Sequence, residues 1–360
     1  MNNNKHLYSI IAGTGSYIPE TKIAGDSFLD ATFFENGLKL EKEISEIISK
    51  FTEITEIVER RYVDTLHVNS TIASIAAQKA IDDAGFDKES LDHIIFCHNF
   101  GDVKLDSNRM DMLPALAAKV KQELGILNPD CVAYDLIFGC PGWIQGSIQA
   151  DYLIRSGDAK RVLVIGSETL SRIIDPHDRD SMIFSDGAGA VVYEARESEE
   201  PVGILAHKTQ TFAADYGYLL TMGKSNNPDA CQENSYLKMH GRKLYEFAVI
   251  NVPQVVKKAL DKAGVGIEDI KTVFIHQANG KMDHAIMKRL FKLYNIDKVP
   301  ENLVPMTISW LGNSSVATIP TLLDLVRKGE VDGYKVEEGQ YAVFASVGAG
   351  MHINAFVYKF

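Results

Sequence analysis

The feature that most constrains the fold is a segment that occurs twice in the chain. Residues 80–96, AIDDAGFDKESLDHIIF, align without a gap with residues 259–275, ALDKAGVGIEDIKTVFI, at an offset of 179 residues, almost half of the 360-residue sequence. Each copy reads as a helix that ends at a glycine, Gly85 or Gly264, followed by a polar link and an apolar run typical of a strand. The repeat predicts two halves of similar structure.

A second pair of segments repeats in the same order. Residues 139–157 resemble residues 312–329, and a strand-like run follows each copy. The strands are almost entirely apolar, as in HIIFC, RVLVIG and TVFIH, which is typical of sheets that helices cover on both faces. We therefore predict an α/β protein built from a duplicated βαβα unit, with one half in residues 1–195 and the other in residues 196–360, related by a pseudo-twofold axis.

Composition and charge exclude several classes of protein. The chain is 46% hydrophobic and 24% charged, which is ordinary for a soluble globular protein with a sizeable core. Its net charge of −11 argues against general nucleic-acid affinity, since such affinity rests on lysine and arginine. Apolar runs are shorter than the roughly 18 residues of a membrane helix, and the first residues lack the layout of a signal peptide. We expect a cytoplasmic protein that binds neither nucleic acid nor membrane.

The cysteines indicate neither a disulfide nor a metal site. The sequence has four of them, at positions 97, 131, 140 and 231, without a CxxC pair and without the spacing of zinc ligands. What remains is whether one of the thiols has a chemical role, because a free cysteine is commonly just a small buried apolar residue.

The duplication itself indicates which polar residues lie close together. It makes Cys140 the counterpart of Asn313, each at the start of an equivalent helix, and it makes His276 the counterpart of Cys97, each at the end of a strand. Three polar residues from distant parts of the sequence, Cys140, His276 and Asn313, therefore fall at related strand–helix junctions.

Cys140 stands where a helix is expected to begin, with Pro141 suited to the first helical position. Unpaired backbone N–H groups and the helix dipole favour a thiolate there, and the thiolate is the nucleophilic form of cysteine. The alternative is a packed core thiol. Likewise, His276 alone could be a structural histidine, and Asn313 alone could be a helix cap. Taken together, a cysteine nucleophile with histidine and asparagine donors is a workable set for acyl transfer.

Five motifs, in order along the chain, resemble those of the ketoacyl-ACP synthase III enzymes of the thiolase superfamily. The resemblance runs from about residue 7 to the C-terminus, and its motifs are DLIFGCPG, FSDGAGAVV, IHQANGKM, GNSSVATIP and VGAGMHINAFVYKF. It implies a thiolase-like αβαβα layered fold and a homodimer.

The resemblance also implies a mechanism and its residues. Cys140 matches the nucleophile that an acyl-CoA or a similar donor acylates, and the backbone amides of Cys140 and Ala349 match the oxyanion hole. His276 and Asn313 match the pair that stabilises the enolate formed when malonyl-ACP loses CO₂. The enolate then attacks the acyl thioester and gives a 3-oxoacyl product, with no metal or redox cofactor.

Further residues match binding positions of the family. Arg179 matches an arginine that stacks on the adenine of CoA. Lys281, Lys288 and Arg289 match residues that meet the acidic acyl carrier protein, and positions 281, 288 and 292 also share one face of the expected helix. That stripe alone could equally be a solvated helix face. Met112 and Leu113 are placed at the wall of the acyl pocket, which in the family crosses the dimer.

Several departures bear on the choice of substrate. Lys50 and Ile54 replace a tryptophan and an arginine of the family, and residues 26–50 and 100–113 are longer than expected. An alternative function is therefore a specialised relative that joins two acyl chains or transfers an acyl group to another acceptor. A cysteine hydrolase and a non-catalytic partner of the carrier protein are further alternatives.

Overall fold

A computed structural model describes residues 5–360 of the chain. Its strands, in chain order, are β1 (His6–Tyr17), β2 (Thr21–Ala24), β3 (Phe34–Glu35), β4 (Leu38–Lys39), β5 (Glu59–Tyr62), β6 (His93–Cys97), β7 (Asp102–Val103), β8 (Met110–Asp111), β9 (Val132–Leu136), β10 (Arg161–Thr169), β11 (Asp186–Ser198), β12 (Gly203–Thr211), β13 (Leu220–Gly223), β14 (Tyr236–Met239), β15 (Ile270–Ile275), β16 (Tyr341–Gly348) and β17 (His352–Lys359). Its helices are α1 (Ile44–Thr55), α2 (Asn69–Ala84), α3 (Leu116–Glu123), α4 (Gly142–Ser156), α5 (Ala213–Tyr216), α6 (Gly241–Ala263), α7 (Gly280–Lys292), α8 (Ile308–Leu311) and α9 (Thr318–Arg327).

Two sheets of matching topology form the framework. The first has the order β1-β11-β10-β6-β9, and the second has the order β12-β17-β16-β15. In both, two antiparallel pairings at one side give way to parallel pairing at the other: β10 with β6 in the first sheet, and β16 with β15 in the second. The first sheet lies within residues 6–198 and the second within residues 203–359.

Three helical layers enclose and separate the sheets. Side chains alternate along β10, so that Val162 and Val164 pack with α4 and α9 while Leu163 and Ile165 pack with α2. Residues of α4 and α9 share one core cluster with both sheets, and α6 and α7 cover the far side of the second sheet. The layers are thus α2 and α3, first sheet, α4 and α9, second sheet, α6 and α7. This arrangement confirms the predicted αβαβα fold.

The repeated segments adopt the same structure in both halves. Helix α2 ends at Gly85, with φ of 72°, and α6 ends at Gly264, with φ of 68°. These left-handed positions suit glycine because it has no Cβ to clash. A short 3₁₀ turn follows each glycine, and then come the buried strands β6 and β15. The helix–turn–strand reading of both copies is confirmed.

The halves differ at the parallel side of their sheets. In the first, β9 pairs with β6 and forms the sheet edge. In the second sheet, residues 5–360 supply no strand beyond β15. Instead, the amide of Val273 donates to the carbonyl of Leu303 at 2.8 Å, so an irregular segment runs beside β15. That chain leads through α8 to Asn313.

Candidate active site

Cys140 lies between β9 and α4, as the sequence predicts. Gly139, which precedes it, has φ of 65°, and its amide donates to Oδ1 of Asn99 at 2.9 Å. Pro141 occupies the N-cap position, and the helix begins at Gly142. The expectation that Pro141 stands at the first helical position is therefore wrong by one residue.

Asn313 reaches the cysteine through one intervening residue. Oδ1 of Asn313 accepts from the amide of Ser315 at 2.8 Å, and the hydroxyl of Ser315 lies 3.3 Å from Sγ of Cys140. The backbone of Asn313 is held on both sides, because its amide donates to Ile183 and its carbonyl accepts from Ser185. The two counterparts of the duplication, Cys140 and Asn313, therefore lie in one hydrogen-bonded cluster.

The turn after β16 packs against the backbone of the cysteine. A Cβ on Gly348 would lie 2.5 Å from the amide nitrogen of Cys140, and a Cβ on Gly139 would lie 2.7 Å from the amide nitrogen of Ala349. Only glycine permits such an approach of two backbones. The Gly348–Ala349 turn thereby lies directly against the backbone of Gly139 and Cys140.

His276 follows the last residue of β15. Its amide donates to the carbonyl of Ala345 at 2.9 Å, which ties it to β16, the strand that leads to Gly348. The side chain is 3% exposed, and Nδ1 has no hydrogen-bond partner among residues 5–360. Gln277 anchors the segment, since it donates to Pro305 and accepts from Thr307, each at 2.8 Å.

Burial shifts the pKa of both ionisable groups away from the charged form. The surrounding protein desolvates the thiol and raises the pKa of Cys140 to about 11; the Ser315 hydrogen bond opposes this and the Glu168 carboxylate adds to it. The predicted thiolate at the helix N-terminus is therefore wrong for this state of the protein. Desolvation lowers the pKa of His276 to about 4, so this imidazole is neutral at pH 7.

A cavity of about 760 Å³ lies near the cluster, although Cys140, His276 and Asn313 do not line it. It reaches Ala278 and Asn279, just beyond His276, and Ile183, whose carbonyl accepts from Asn313. Its wall includes basic and apolar side chains, among them Lys42, Lys50, Ile54, Arg179, Arg242 and Lys243. The two positions that depart from the family pattern, Lys50 and Ile54, therefore face the same space as Arg179. The guanidinium of Arg179 also donates to Glu35 at 3.0 Å.

The remaining predicted binding residues lie on the surface. Lys281, Lys288 and Arg289 are exposed on α7. Met112 and Leu113 do not line the 760 Å³ cavity, and Leu113 is 86% exposed in the single chain. The structure thus brings Cys140 and Asn313 together, with His276 on the adjoining strand, and leaves Met112 and Leu113 apart from them.

Sequence reasoning missed three members of the cluster. Asn99 accepts from Gly139, Glu168 accepts from Asn99, and Ser315 contacts the thiol. The available signal was polar residues directly after or at the end of apolar strands, in HIIFCHN and RVLVIGSE.

The described residues hold neither a candidate metal site nor a helix suited to span a membrane. Within residues 5–360 there is no group of three or more histidine, cysteine, aspartate or glutamate side chains placed to hold a metal ion. In the same part of the chain, no helix combines the length and apolar character needed to cross a bilayer.

Comparison with known proteins identifies the family. The family model described as 3-oxoacyl-[acyl-carrier-protein] synthase III matches residues 134–212, and the model of its C-terminal part matches residues 260–360. The β-ketoacyl-[acyl-carrier-protein] synthase III of Erythrobacter litoralis is 32% identical over 98% of this chain and 100% of its own length. The protein of the same name from Sphingopyxis alaskensis is 30% identical over 98% of both.

Solved structures agree with the sequence matches. The 3-oxoacyl-[acyl-carrier-protein] synthase III of Aquifex aeolicus superposes with a TM-score of 0.78 at 30% identity, over 98% of this chain and 100% of that one. Fold, motif order and full-length similarity all point to one conclusion. The chain belongs to the 3-oxoacyl-[acyl-carrier-protein] synthase III family of condensing acyltransferases within the thiolase superfamily.

Proposed function

We propose that this enzyme takes up an acyl group on Cys140 and condenses it with malonyl-ACP, as in fatty acid biosynthesis. The observation that carries the proposal is the cluster itself: the Cys140 thiol contacts Ser315, Ser315 contacts Asn313, and the Gly348–Ala349 turn packs on the cysteine backbone. Family membership supports the same reaction. The alternative of joining two acyl chains is not favoured, because relatives at 30–32% identity carry the synthase III name.

In the acylation step, sulfur of Cys140 attacks the thioester carbonyl of an acyl-CoA, the thiol proton passes to the departing CoA sulfur, and an acyl-enzyme forms. Since the pKa of Cys140 is about 11, loss of the proton accompanies the attack rather than precedes it. The backbone amides of Cys140 and Ala349 are proposed to stabilise the oxyanion.

In the condensation step, malonyl-ACP loses CO₂, and its enolate carbon attacks the acyl carbonyl. The bond between that carbonyl carbon and sulfur breaks, and Cys140 leaves as a thiolate that takes a proton from water and returns to the thiol. His276 and Asn313 are proposed to donate hydrogen bonds to the enolate oxygen. A neutral imidazole can fill this role through its one N–H group, and the low pKa of His276 keeps the ring neutral at pH 7. The steps balance without a metal or redox cofactor.

The substrates are proposed to approach over basic surface. Arg179 at the cavity is the proposed contact for the CoA nucleotide, and Lys281, Lys288 and Arg289 on α7 are the proposed contacts for the acidic carrier protein. The protein itself carries a net charge of −11, so a basic face is where an acidic partner can bind with least repulsion. We place the enzyme in the cytoplasm, which fits its four free cysteines.

We further propose a homodimer in which β9 of two copies meet. Strand β9 is a sheet edge that carries exposed apolar side chains at Val132 and, just beyond it, at Ile137. Leu113, 86% exposed in the single chain, would then be covered by the second copy, with Met112 and Leu113 forming a wall of the partner's acyl pocket. Analytical ultracentrifugation of the wild type and of Val132→Lys tests the dimer: a monomeric wild type would contradict it.

The function is tested by measuring the intact mass of the protein after incubation with a panel of acyl-CoAs, with Cys140→Ala as control. The wild type should gain the mass of one acyl group, and the variant should gain none. Addition of ¹⁴C-malonyl-ACP labelled in its free carboxyl group should then release labelled CO₂. Acyl loading without CO₂ release would contradict the condensation.

A further inference from the structure

A buried acid behind the nucleophile has no part in the reaction as derived so far. Glu168 is the penultimate residue of β10 and is fully buried. Its Oε1 accepts from the backbone amide and from the side-chain amide of Asn99, each at 2.7 Å, whereas Oε2 has no hydrogen-bond partner among residues 5–360. Burying a carboxyl group with half of its hydrogen-bonding capacity unused destabilises a fold, so its presence calls for a reason.

The partner of Glu168 is oriented toward the cysteine on its other side. Oδ1 of Asn99 accepts from the amide of Gly139 at 2.9 Å, and Nδ2, besides donating to Glu168, lies 3.4 Å from the hydroxyl of Ser315. Only one orientation of this amide satisfies both neighbours, because the reverse would set its NH₂ against the N–H of Gly139. Glu168 therefore fixes which atom of Asn99 faces each group.

Ser315 links this network to the sulfur. Its hydroxyl lies 3.3 Å from Sγ of Cys140, and its backbone has φ of 52°, a left-handed conformation that is unfavourable for a residue with a Cβ. Surrounding contacts must hold that conformation, and the bond from its amide to Asn313 is one of them. The hydroxyl is thus aimed at the thiol from a constrained backbone.

We propose that Glu168 is a positioning residue for the nucleophile: through Asn99 it orients the Gly139–Cys140 peptide and the Ser315 hydroxyl that donates to the sulfur of Cys140. The proposal rests on the role of Cys140 proposed above and adds the network that places its thiol. Burial, with a smaller contribution from Asp186 on β11, raises the pKa of Glu168 to about 8, so that the side chain is mostly an uncharged acid at pH 7; only its ionised form raises the pKa of Cys140.

The test uses the rate at which iodoacetamide alkylates Cys140 in the full-length protein, read by peptide mass mapping so that the exposed Cys231 is counted separately. Glu168→Ala should slow alkylation of Cys140 and acetyl loading from acetyl-CoA by about tenfold or more, since small misplacements of a nucleophile have effects of that order. Glu168→Gln keeps an oxygen acceptor for Asn99 and should restore both rates to within about threefold of wild type.

Two further variants separate positioning from a merely structural role. Ser315→Ala should slow both reactions, and the double variant with Glu168→Ala should be faster than the product of the two single effects predicts, because the two residues share the Ser315 hydroxyl. In steady state kcat should fall while KM for acetyl-CoA changes little. If Glu168→Ala does not fold, Asn99→Ala removes the same link and should behave like it.

Three outcomes would overturn the proposal: wild-type alkylation in a folded Glu168→Ala or Asn99→Ala variant, failure of Glu168→Gln to restore the rates, or multiplied effects in the double variant. Alkylation needs no acyl substrate, so it distinguishes failure of this proposal from failure of the proposed reaction. Absence of acyl loading in the wild type would contradict the reaction and leave the alkylation pattern to decide the role of Glu168.

Discussion

The two halves of the molecule place different residues at equivalent positions. At the helix starts, the first half has Cys140 and the second has Asn313; at the ends of the equivalent strands, the first has Cys97 and the second has His276. Cys97 is fully buried, and a Cβ on Gly146 would lie 2.7 Å from its sulfur. It is a packed thiol, whereas the equally buried His276 has a ring nitrogen without a partner in residues 5–360. The helix starts therefore contribute chemistry from both halves, whereas the strand ends contribute it only from the second half, and the nucleophile and the histidine come from opposite halves.

Burial keeps the ionisable groups of this site in their uncharged forms. It raises the pKa of both cysteines, that of Cys140 to about 11, and lowers the pKa of His276 to about 4. The result is a site that is uncharged at pH 7 apart from its backbone dipoles. Such a site can stabilise an oxyanion or enolate strongly, since no resident charge competes for the hydrogen-bond donors.

The largest expected effect comes from removing the cysteine of the first helix start, compared with removing the cysteine of the first strand end. Cys140→Ala should abolish the acyl adduct and the condensation, because the nucleophile is lost. Cys97→Ala, the matched change at the packed position, should still load an acyl group. Intact mass after incubation with acetyl-CoA measures both. An adduct that survives in Cys140→Ala, or one that disappears in a folded Cys97→Ala, would reverse the assignment of the two thiols.

A second prediction separates the contributions of the halves to the two steps. His276→Ala and Asn313→Ala should lower condensation by about 10² to 10³, the usual effect of removing an oxyanion donor. Acyl loading should fall far less in His276→Ala, since that step uses the amides near Cys140, and should fall partly in Asn313→Ala, because Asn313 also holds Ser315. Rapid-quench measurement of loading and of CO₂ release from malonyl-ACP gives the two rates. Equal losses in both steps would show that these residues act on the nucleophile instead.

The exposed face of α7 belongs to the second half. Reversing its charge should have a weaker effect, on the KM for malonyl-ACP. The double variant Lys288→Glu and Arg289→Glu should raise KM for malonyl-ACP about tenfold at low salt, because it reverses charge that faces an acidic carrier. KM for malonyl-CoA should be unchanged. Lys298→Glu is the control, since Lys298 is exposed but lies beyond the helix near Glu301. A similar effect of the control would assign the change to net charge alone.

The sequence predicted the framework better than the electrostatics. The repeat led to the two halves and to the pairing of Cys140 with Asn313, because helix ends and apolar strands are local signals. The thiolate prediction failed because a helix start is worth about 1 kcal/mol, whereas raising the thiol pKa by about two units corresponds to about 3 kcal/mol. Asn99 and Glu168 were missed since their contact joins residues 69 positions apart and leaves no periodic pattern.

The smallest effect at neutral pH is expected on the free energy of unfolding. It distinguishes the two buried strand-end residues, His276 and Cys97. The pKa of His276 is about 4 in the folded protein and near 6.5 when unfolded, so between these values the unfolded chain binds more protons. The free energy of unfolding should therefore fall as pH drops from 7 to 4, by up to about 3 kcal/mol more in the wild type than in His276→Gln, which cannot be protonated. Urea denaturation at pH 7, 5.5 and 4 measures the difference. Cys97→Ala should give a curve parallel to that of the wild type over this range, offset by the cost of the lost packing, because a thiol does not titrate there. Parallel curves for the wild type and His276→Gln would mean that a hydrogen-bond acceptor or water stabilises the charged imidazolium. Burial would then not be what keeps His276 neutral.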